Sequence, residues 1–240
     1  KLIIKISKMI KDFQINIDDS QIELLHKKIE LTRWPDEINN EYWSHGTSMS
    51  FLKELSKYWI NDFNWRTHEQ ELNDIGSYKF TSKTGHDIHF LHAKSNQKNA
   101  LPLVMTHGWP GSVQEFIKVI PLIQEKSNRP IDIICPSLPG FGFSDKPKDL
   151  GMNSEQIAKI QHELMMALGY KQYVVQGGDW GATVSKWMAE LFPENCIGIH
   201  LNLVIAFPPN TENPMEGVTD KELKLLENFN KYKTQGYGYY

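Results

Sequence analysis

Apolar side chains recur with two different periods along this chain, and the period changes near Gly76. From Asp18 to about Thr32, Ile22, Leu25 and Ile29 fall on one face of a helix, with Asp18 as its candidate cap and Gln21 three residues on. Arg33-Trp34-Pro35-Asp36-Glu37 ends that helix. The stripe Phe51, Leu52, Leu55, Tyr58 and Trp59 predicts a second helix over residues 50–60. The first part of the chain, to about residue 75, thus reads as a small helical unit rich in Trp and Tyr, with no strand signal.

Beyond Gly76 the runs shorten and become β-branched. Tyr78 to Phe80 and Ile88 to Ala93 read as strands joined by a turn at Thr84-Gly85. Leu101 to Thr106 is a third strand, Ser112 to Leu122 can hold a helix, and Ile131 to Cys135 is a fourth strand. A helix over 154–168 buries Ile157, Ile160, Leu164, Met165 and Leu168 and stops at Gly169. Strand 173–177 then leads into a helix carrying Val184, Trp187, Met188 and Leu191, followed by a strand from Ile197 to Leu203. An antiparallel start followed by alternating strands and helices predicts an α/β fold with a mostly parallel sheet covered on both faces.

Composition narrows the function classes. With 240 residues, 40% hydrophobic content and a formal charge of −3, the chain can build one ordinary core with a smaller attached unit. Lys and Arg are scattered, so nothing points to nucleic acid. The two cysteines, Cys135 and Cys196, lie in apolar strand-like runs and read as buried thiols, compatible with a reducing compartment. The opening Lys1-Leu2-Ile3-Ile4-Lys5-Ile6 is far shorter than the ~20 residues of a membrane span and lacks a cleavage site. Met9 offers a natural start, so residues 1–8 are read as a non-native or untranslated extension.

Gly177-Gly178-Asp179-Trp180-Gly181 carries the strongest chemical signal. Glycines at two positions on either side of Asp179 let a strand turn sharply into a helix, lifting the central side chain as in a nucleophile elbow, with Asp where lipases carry Ser. The pentapeptide alone fits a helix-capping Asp equally well. His107-Gly108-Trp109-Pro110-Gly111-Ser112 directly follows the third strand. Read alone it is a Gly/Pro turn, but its place in strand order is that of the loop whose backbone N–H completes an oxyanion hole beside an elbow. The bond before Pro110 is a candidate for the cis isomer.

Other patterns carry less. On a strand His86 and His92 face one side and His89 the other, so one zinc cannot collect all three. His162-Glu163 lacks the second His of a zincin, and Gly140-Phe141-Gly142 lacks the third Gly of a dinucleotide fingerprint. No metal site and no cofactor are implied.

Taken together and in order, Arg33 to Glu37, His107 to Ser112, Pro136-Ser137-Leu138-Pro139-Gly140-Phe141-Gly142-Phe143-Ser144 and Gln176 to Gly181 resemble the epoxide hydrolases of the microsomal and juvenile-hormone type. The similarity runs from about Asp12 to the C-terminus. It implies an α/β-hydrolase fold with an N-terminal helical domain over 9–75, a core over 76–205 holding the first six strands, and the start of a cap domain over 206–240. It implies Asp179 as the nucleophile, the backbone N–H groups of Trp109 and Trp180 as the oxyanion hole, and His107, Gly108 and Pro110 as its supporting loop. Tyr237, in a Gly-Tyr segment, is the implied proton donor to the epoxide oxygen, with Tyr239 as a close competitor. The implied partners are a small apolar epoxide and water; relatives with an N-terminal membrane anchor exist, but no anchor is visible in this sequence, so a cytoplasmic or otherwise soluble protein is expected.

The family's catalytic His and its acidic partner lie downstream of the cap, and none of the nine histidines here matches that position. The sequence therefore reads as the first part of an epoxide hydrolase, with little or no turnover expected. Two alternatives remain: a haloalkane dehalogenase-like hydrolase, which also uses an Asp elbow followed by Trp, and a non-catalytic binding protein derived from the fold. The helical leader and the Tyr237 segment argue against the dehalogenase, because halide release needs no phenolic acid.

Overall fold

Strands β1 (Ile10–Asp12), β2 (Ser77–Thr81), β3 (Asp87–Ala93), β4 (Leu101–Thr106), β5 (Ile131–Pro136), β6 (Tyr173–Gly177) and β7 (Cys196–Leu201) form one sheet in the order β1-β2-β3-β5-β4-β6-β7. The computed structural model describes residues 9–38, 43–44, 46–204 and 210–235. β1, β2, β3 and β5 pair antiparallel in succession, while β5, β4, β6 and β7 run parallel. The antiparallel start and parallel continuation match the sequence reading. β1 does not: the leader contributes an edge strand that alternation could not reveal, because Ile10-Lys11-Asp12 holds a single apolar residue.

The helices are α1 (Asp19–Glu30), α2 (Met49–Asn61), α3 (Trp65–Ile75), α4 (Val119–Lys126), α5 (Ser154–Ala167), α6 (Trp180–Leu191) and α7 (Asp220–Gln235). The helix expected over 112–122 is split into a short 3-10 turn, Val113–Phe116, and α4. Asp18 precedes α1 without any side-chain cap bond. Along α2 the expected inward stripe stays substantially exposed at Phe51, Leu55, Tyr58 and Trp59.

Through the central strands β3, β5, β4 and β6 both faces of the sheet are covered, as a parallel sheet requires, whereas Ile197 and Ile199 of the outer strand β7 are about half exposed. Successive side chains of a strand point to opposite faces, so Ile88 and Phe90 of β3, Val104 of β4 and Ile134 of β5 pack with α5 and α6 through Leu164, Met165, Val184 and Met188. Leu91, Ala93, Met105, Ile133 and Cys135 face the other way, onto Leu72 of α3 and Val113, Phe116 and Ile120.

The leader is tied to this second face by α3. Asn73 receives the Ile15 N–H on Oδ1 and donates Nδ2–H to the Ile15 carbonyl, both at 2.9 Å, as a neighbouring strand would. Glu69 accepts the Ile17 N–H, the Trp65 indole N–H and Arg66. Burial pushes the Glu69 carboxyl up, and those donors more than offset it, holding it below its usual range.

The chain forms two compact units, one ending at Leu203 and one beginning at Val204. In the second, Thr219 and Glu222 make a reciprocal capping box at the start of α7: Thr219 N–H donates to Glu222 Oε2 at 2.8 Å, and Glu222 N–H donates to Thr219 Oγ1 at 3.4 Å.

Candidate active site

The register of the sheet brings the two sequence motifs together. Thr106 pairs with Gly177 and Gly177 pairs with Leu201, so the loop after β4, the turn after β6 and Asn202 after β7 lie side by side at the C-terminal ends of parallel strands. That is where open α/β sheets place their ligands.

Glycine makes the turn possible by close approach. A Cβ on Gly177 would collide with the Gly181 carbonyl, and one on Gly181 with the Thr106 carbonyl, so α6 starts directly against β6 and the end of β4. A Cβ on Gly108 would strike the Asp179 carboxylate, and one on Gly178 the Asn202 amide.

Asp179 occupies the N-cap position of α6 but makes no side-chain cap bond, so the helix-cap reading fails. Its backbone has φ 50° and ψ −128°, a conformation that a β-substituted residue adopts at a cost of roughly 1–3 kcal/mol. The side chain is exposed, and Oδ1 accepts the Trp109 N–H at 2.8 Å. Trp180 is the first residue of α6, so its N–H belongs to the helix turn that lacks intrahelical acceptors. Trp109–Pro110 is a cis peptide bond.

His107 fixes the loop that carries Trp109. Buried beneath it, His107 accepts the Leu138 N–H on Nε2 at 3.0 Å, which leaves Nδ1–H to donate to the Gly108 carbonyl at 3.0 Å. Burial lowers its pKa against the opposing pull of the Gly108 carbonyl and Glu115, so the neutral tautomer that these bonds need is the favoured one. His89 likewise sits buried between Ser77 Oγ and Ser137 Oγ, and His92 contacts the Tyr170 hydroxyl. Among the described residues no histidine hydrogen-bonds Asp179, and no group of three His, Cys, Asp or Glu could hold a metal.

Two hollows flank Trp109. One, of about 380 Å³, contains Asp179 and is lined by polar groups including Thr106, Glu115, Gln176 and Asn202. The other, of about 410 Å³, is mainly apolar and is lined by Leu138, Phe141, Met152, Ile157 and Trp180. Sequence reading missed Asn202, which strand register brings to the elbow, and Glu115, which lies in the short turn after the donor loop. Tyr237 and Tyr239 lie outside the described residues. Among the described residues no helix is long and apolar enough to cross a membrane.

A mixed sheet covered on both faces, with an Asp-bearing elbow after β6 and a donor loop after β4, defines an α/β-hydrolase. Residues 102–227 match the family described as the alpha/beta hydrolase fold, and residues 10–116 match the one described as the epoxide hydrolase N terminus. The chain belongs to the alpha/beta hydrolase family, and the relatives it matches are named epoxide hydrolases. It is 36% identical to epoxide hydrolase 1 of Sus scrofa, over 92% of this chain and 53% of that protein. Among solved structures it resembles the juvenile hormone epoxide hydrolase of the silkworm Bombyx mori, with a TM-score of 0.75 and 35% identity over 82% of this chain and 54% of that one. The Aspergillus niger epoxide hydrolase superposes with a TM-score of 0.80 and 28% identity, covering 95% of this chain and 61% of that one. The chain spans about half the length of the curated relatives it matches. These relatives favour neither the dehalogenase nor the binding-protein alternative.

Proposed function

We propose that Asp179 opens apolar epoxides to vicinal diols through a covalent ester. The observation that carries this reading is the Asp179 carboxylate itself, held in a strained turn, uncapped, with Oδ1 on the Trp109 N–H. A strained residue maintained where it caps nothing points to chemistry. With Oδ1 engaged, Oδ2 is the attacking oxygen. Its electron pair forms a C–O bond to one epoxide carbon as the ring C–O bond breaks, and the leaving pair on the epoxide oxygen takes a proton from a phenol, for which Tyr237 is the candidate and Tyr239 the alternative.

Oδ1 then becomes the ester carbonyl oxygen, already beside one amide donor. When water attacks the carboxyl carbon, charge builds on that oxygen, and the N–H groups of Trp109 and Trp180 are the donors suited to it. Loss of the diol oxygen from the tetrahedral carbon restores the carboxylate. A His-activated water with an acidic partner is needed for this step, and among the described residues no histidine hydrogen-bonds Asp179. Residues 9–75, 76–205 and 206–240 would serve as leader, core and the start of a cap, and water and a small apolar epoxide are the partners.

Intact-protein mass spectrometry after incubation with styrene oxide tests the reading. The expected result is a mass gain of one whole epoxide mapping to Asp179 and absent from Asp179→Asn. Where the ester turns over, heavy-oxygen water should label the Asp179 carboxylate instead. A folded protein showing neither change would end the proposal.

A further inference from the structure

Of the two hollows beside Trp109, the polar one holds side chains whose hydrogen-bonding groups are unused. Thr106 Oγ1–H donates to Gln161 Oε1 at 3.0 Å and both ring nitrogens of His107 are engaged, so these parts of the wall have little to offer a ligand. Glu115, Gln176 and Asn202 line the same hollow as Asp179, and among the described residues none of their side chains has a hydrogen-bond or ion-pair partner. We propose that this hollow holds the water that hydrolyses the Asp179 ester, bound by Gln176, Glu115 and Asn202. The proposal rests on the reading of Asp179 as the epoxide-opening carboxylate.

Gln176 is the most telling of the three. Its Oε1 is sealed from solvent and has no partner, which is costly for a buried amide oxygen. An apolar side chain of similar size would fill the end of β6 without that cost, so packing alone does not account for the amide. With Oε1 sealed, Nε2–H is the end that can serve the hollow. Gln176 stands three residues before Asp179 on a strand paired on both sides, opposite Met105 of β4 and His200 of β7. A side chain on so rigid an element can fix a small molecule relative to the nucleophile.

Glu115 and Asn202 reach the hollow because two glycines make room. Glu115 Oε1 occupies the space that a Cβ on Gly111 would take, so a side chain at 111 would displace the carboxylate. No Lys or Arg lines the hollow, which leaves the oxygens of Glu115 free to accept an O–H. Asn202 lies against Gly178, where a Cβ would strike its amide, and its backbone N–H is bonded to the Gly177 carbonyl at 3.2 Å. A carboxylate and two amides give the two to four polar partners that hold a water, which the apolar hollow of Leu138, Met152 and Ile157 lacks. The held water keeps one O–H on Glu115 and gives its other proton to the activating imidazole as its oxygen bonds to Asp179 Cγ. The carbonyl pair moves onto Oδ1 at the Trp109 N–H, and the diol oxygen takes up the proton as its bond to Cγ breaks.

The two half-reactions separate this role from a structural one. The chain is alkylated with styrene oxide, excess reagent is removed, and loss of the Asp179 ester is followed by mass spectrometry in mildly alkaline heavy-oxygen water. Gln176→Leu should alkylate within about twofold of the unsubstituted rate but lose the ester roughly tenfold more slowly. Its urea midpoint should stay level or rise, because an unpaired buried amide oxygen is gone. Glu115→Ala should slow ester loss by a similar factor, and Glu115→Gln, which keeps an oxygen acceptor, should recover most of it. Position 115 is exposed, so these variants keep the test open if Gln176→Leu fails to fold. Heavy oxygen should enter the Asp179 carboxylate throughout. An unchanged ester lifetime in folded variants, equal slowing of both half-reactions, or label in the diol alone would overturn the water site and leave alkylation by Asp179 standing. Absence of the ester in the unsubstituted chain would overturn both.

Discussion

At the scale of single residues, the site is built by side chains that are missing. Gly177, Gly181 and Gly108 each stand where a methyl group would strike a carbonyl or the Asp179 carboxylate, and Asp179 takes the conformational cost of the resulting turn. Replacing Asp179 by Gly relieves a positive φ and should raise unfolding free energy by about 1 kcal/mol or more in urea titrations, while abolishing ester formation. A decrease in stability would show that the turn is not strained. Gly108→Ala should impair function with the carboxylate still present: the chain stays folded, but the carboxylate is displaced from Trp109 N–H and alkylation slows by about a hundredfold, read from adduct kinetics. The elbow was legible in the sequence because backbone contact dictates its glycine spacing. Asn202 was not, because its place beside Gly178 follows from the pairing of Gly177 with Leu201 and from no local pattern.

At the scale of elements, α3 is the instructive case. Its sequence, Trp-Arg-Thr-His-Glu-Gln-Glu-Leu-Asn-Asp-Ile, shows few apolar positions, so periodicity gave no helix there. The inward face is partly polar: Glu69 is buried beside Leu72, and Asn73 completes the hydrogen bonds of Ile15. Asn73→Ala leaves the Ile15 N–H and carbonyl unpaired in a half-buried place and should cost about 2 kcal/mol, measured by chemical denaturation. Asn73→Asp restores only the acceptor and should recover part of that loss. β5, β6 and α5 were read correctly because their burial is apolar on a regular period, whereas β1 was hidden by two charged residues out of three. The exposed stripe on α2 marks the converse failure, since a helical period predicts which residues share a face but not that the face is covered.

At the scale of the molecule, two buried imidazoles couple the fold to pH. Desolvation, with Lys79 nearby, lowers the pKa of His89 to about 4, and desolvation with Lys94 does the same to His92 against the opposing pull of Asp132. An unfolded chain takes up protons at these sites near pH 6.5 and the folded chain does not, so their contribution is complete above about pH 6.5 and is lost as pH falls toward 4. Each histidine is worth up to about 3 kcal/mol across that window. Urea midpoints should therefore fall between pH 7 and 4.5, and His92→Gln should flatten the slope; an unchanged slope would mean that His92 does not contribute to acid stability. The backbone bonds that shape the elbow use the carbonyl of residue 179, while its carboxylate accepts the Trp109 N–H and lies against Gly108. Frame and reagent are thus separable inheritances: an ancestor or descendant of this chain could exchange the side chain on that perch, and with it the reaction, without redrawing a single strand.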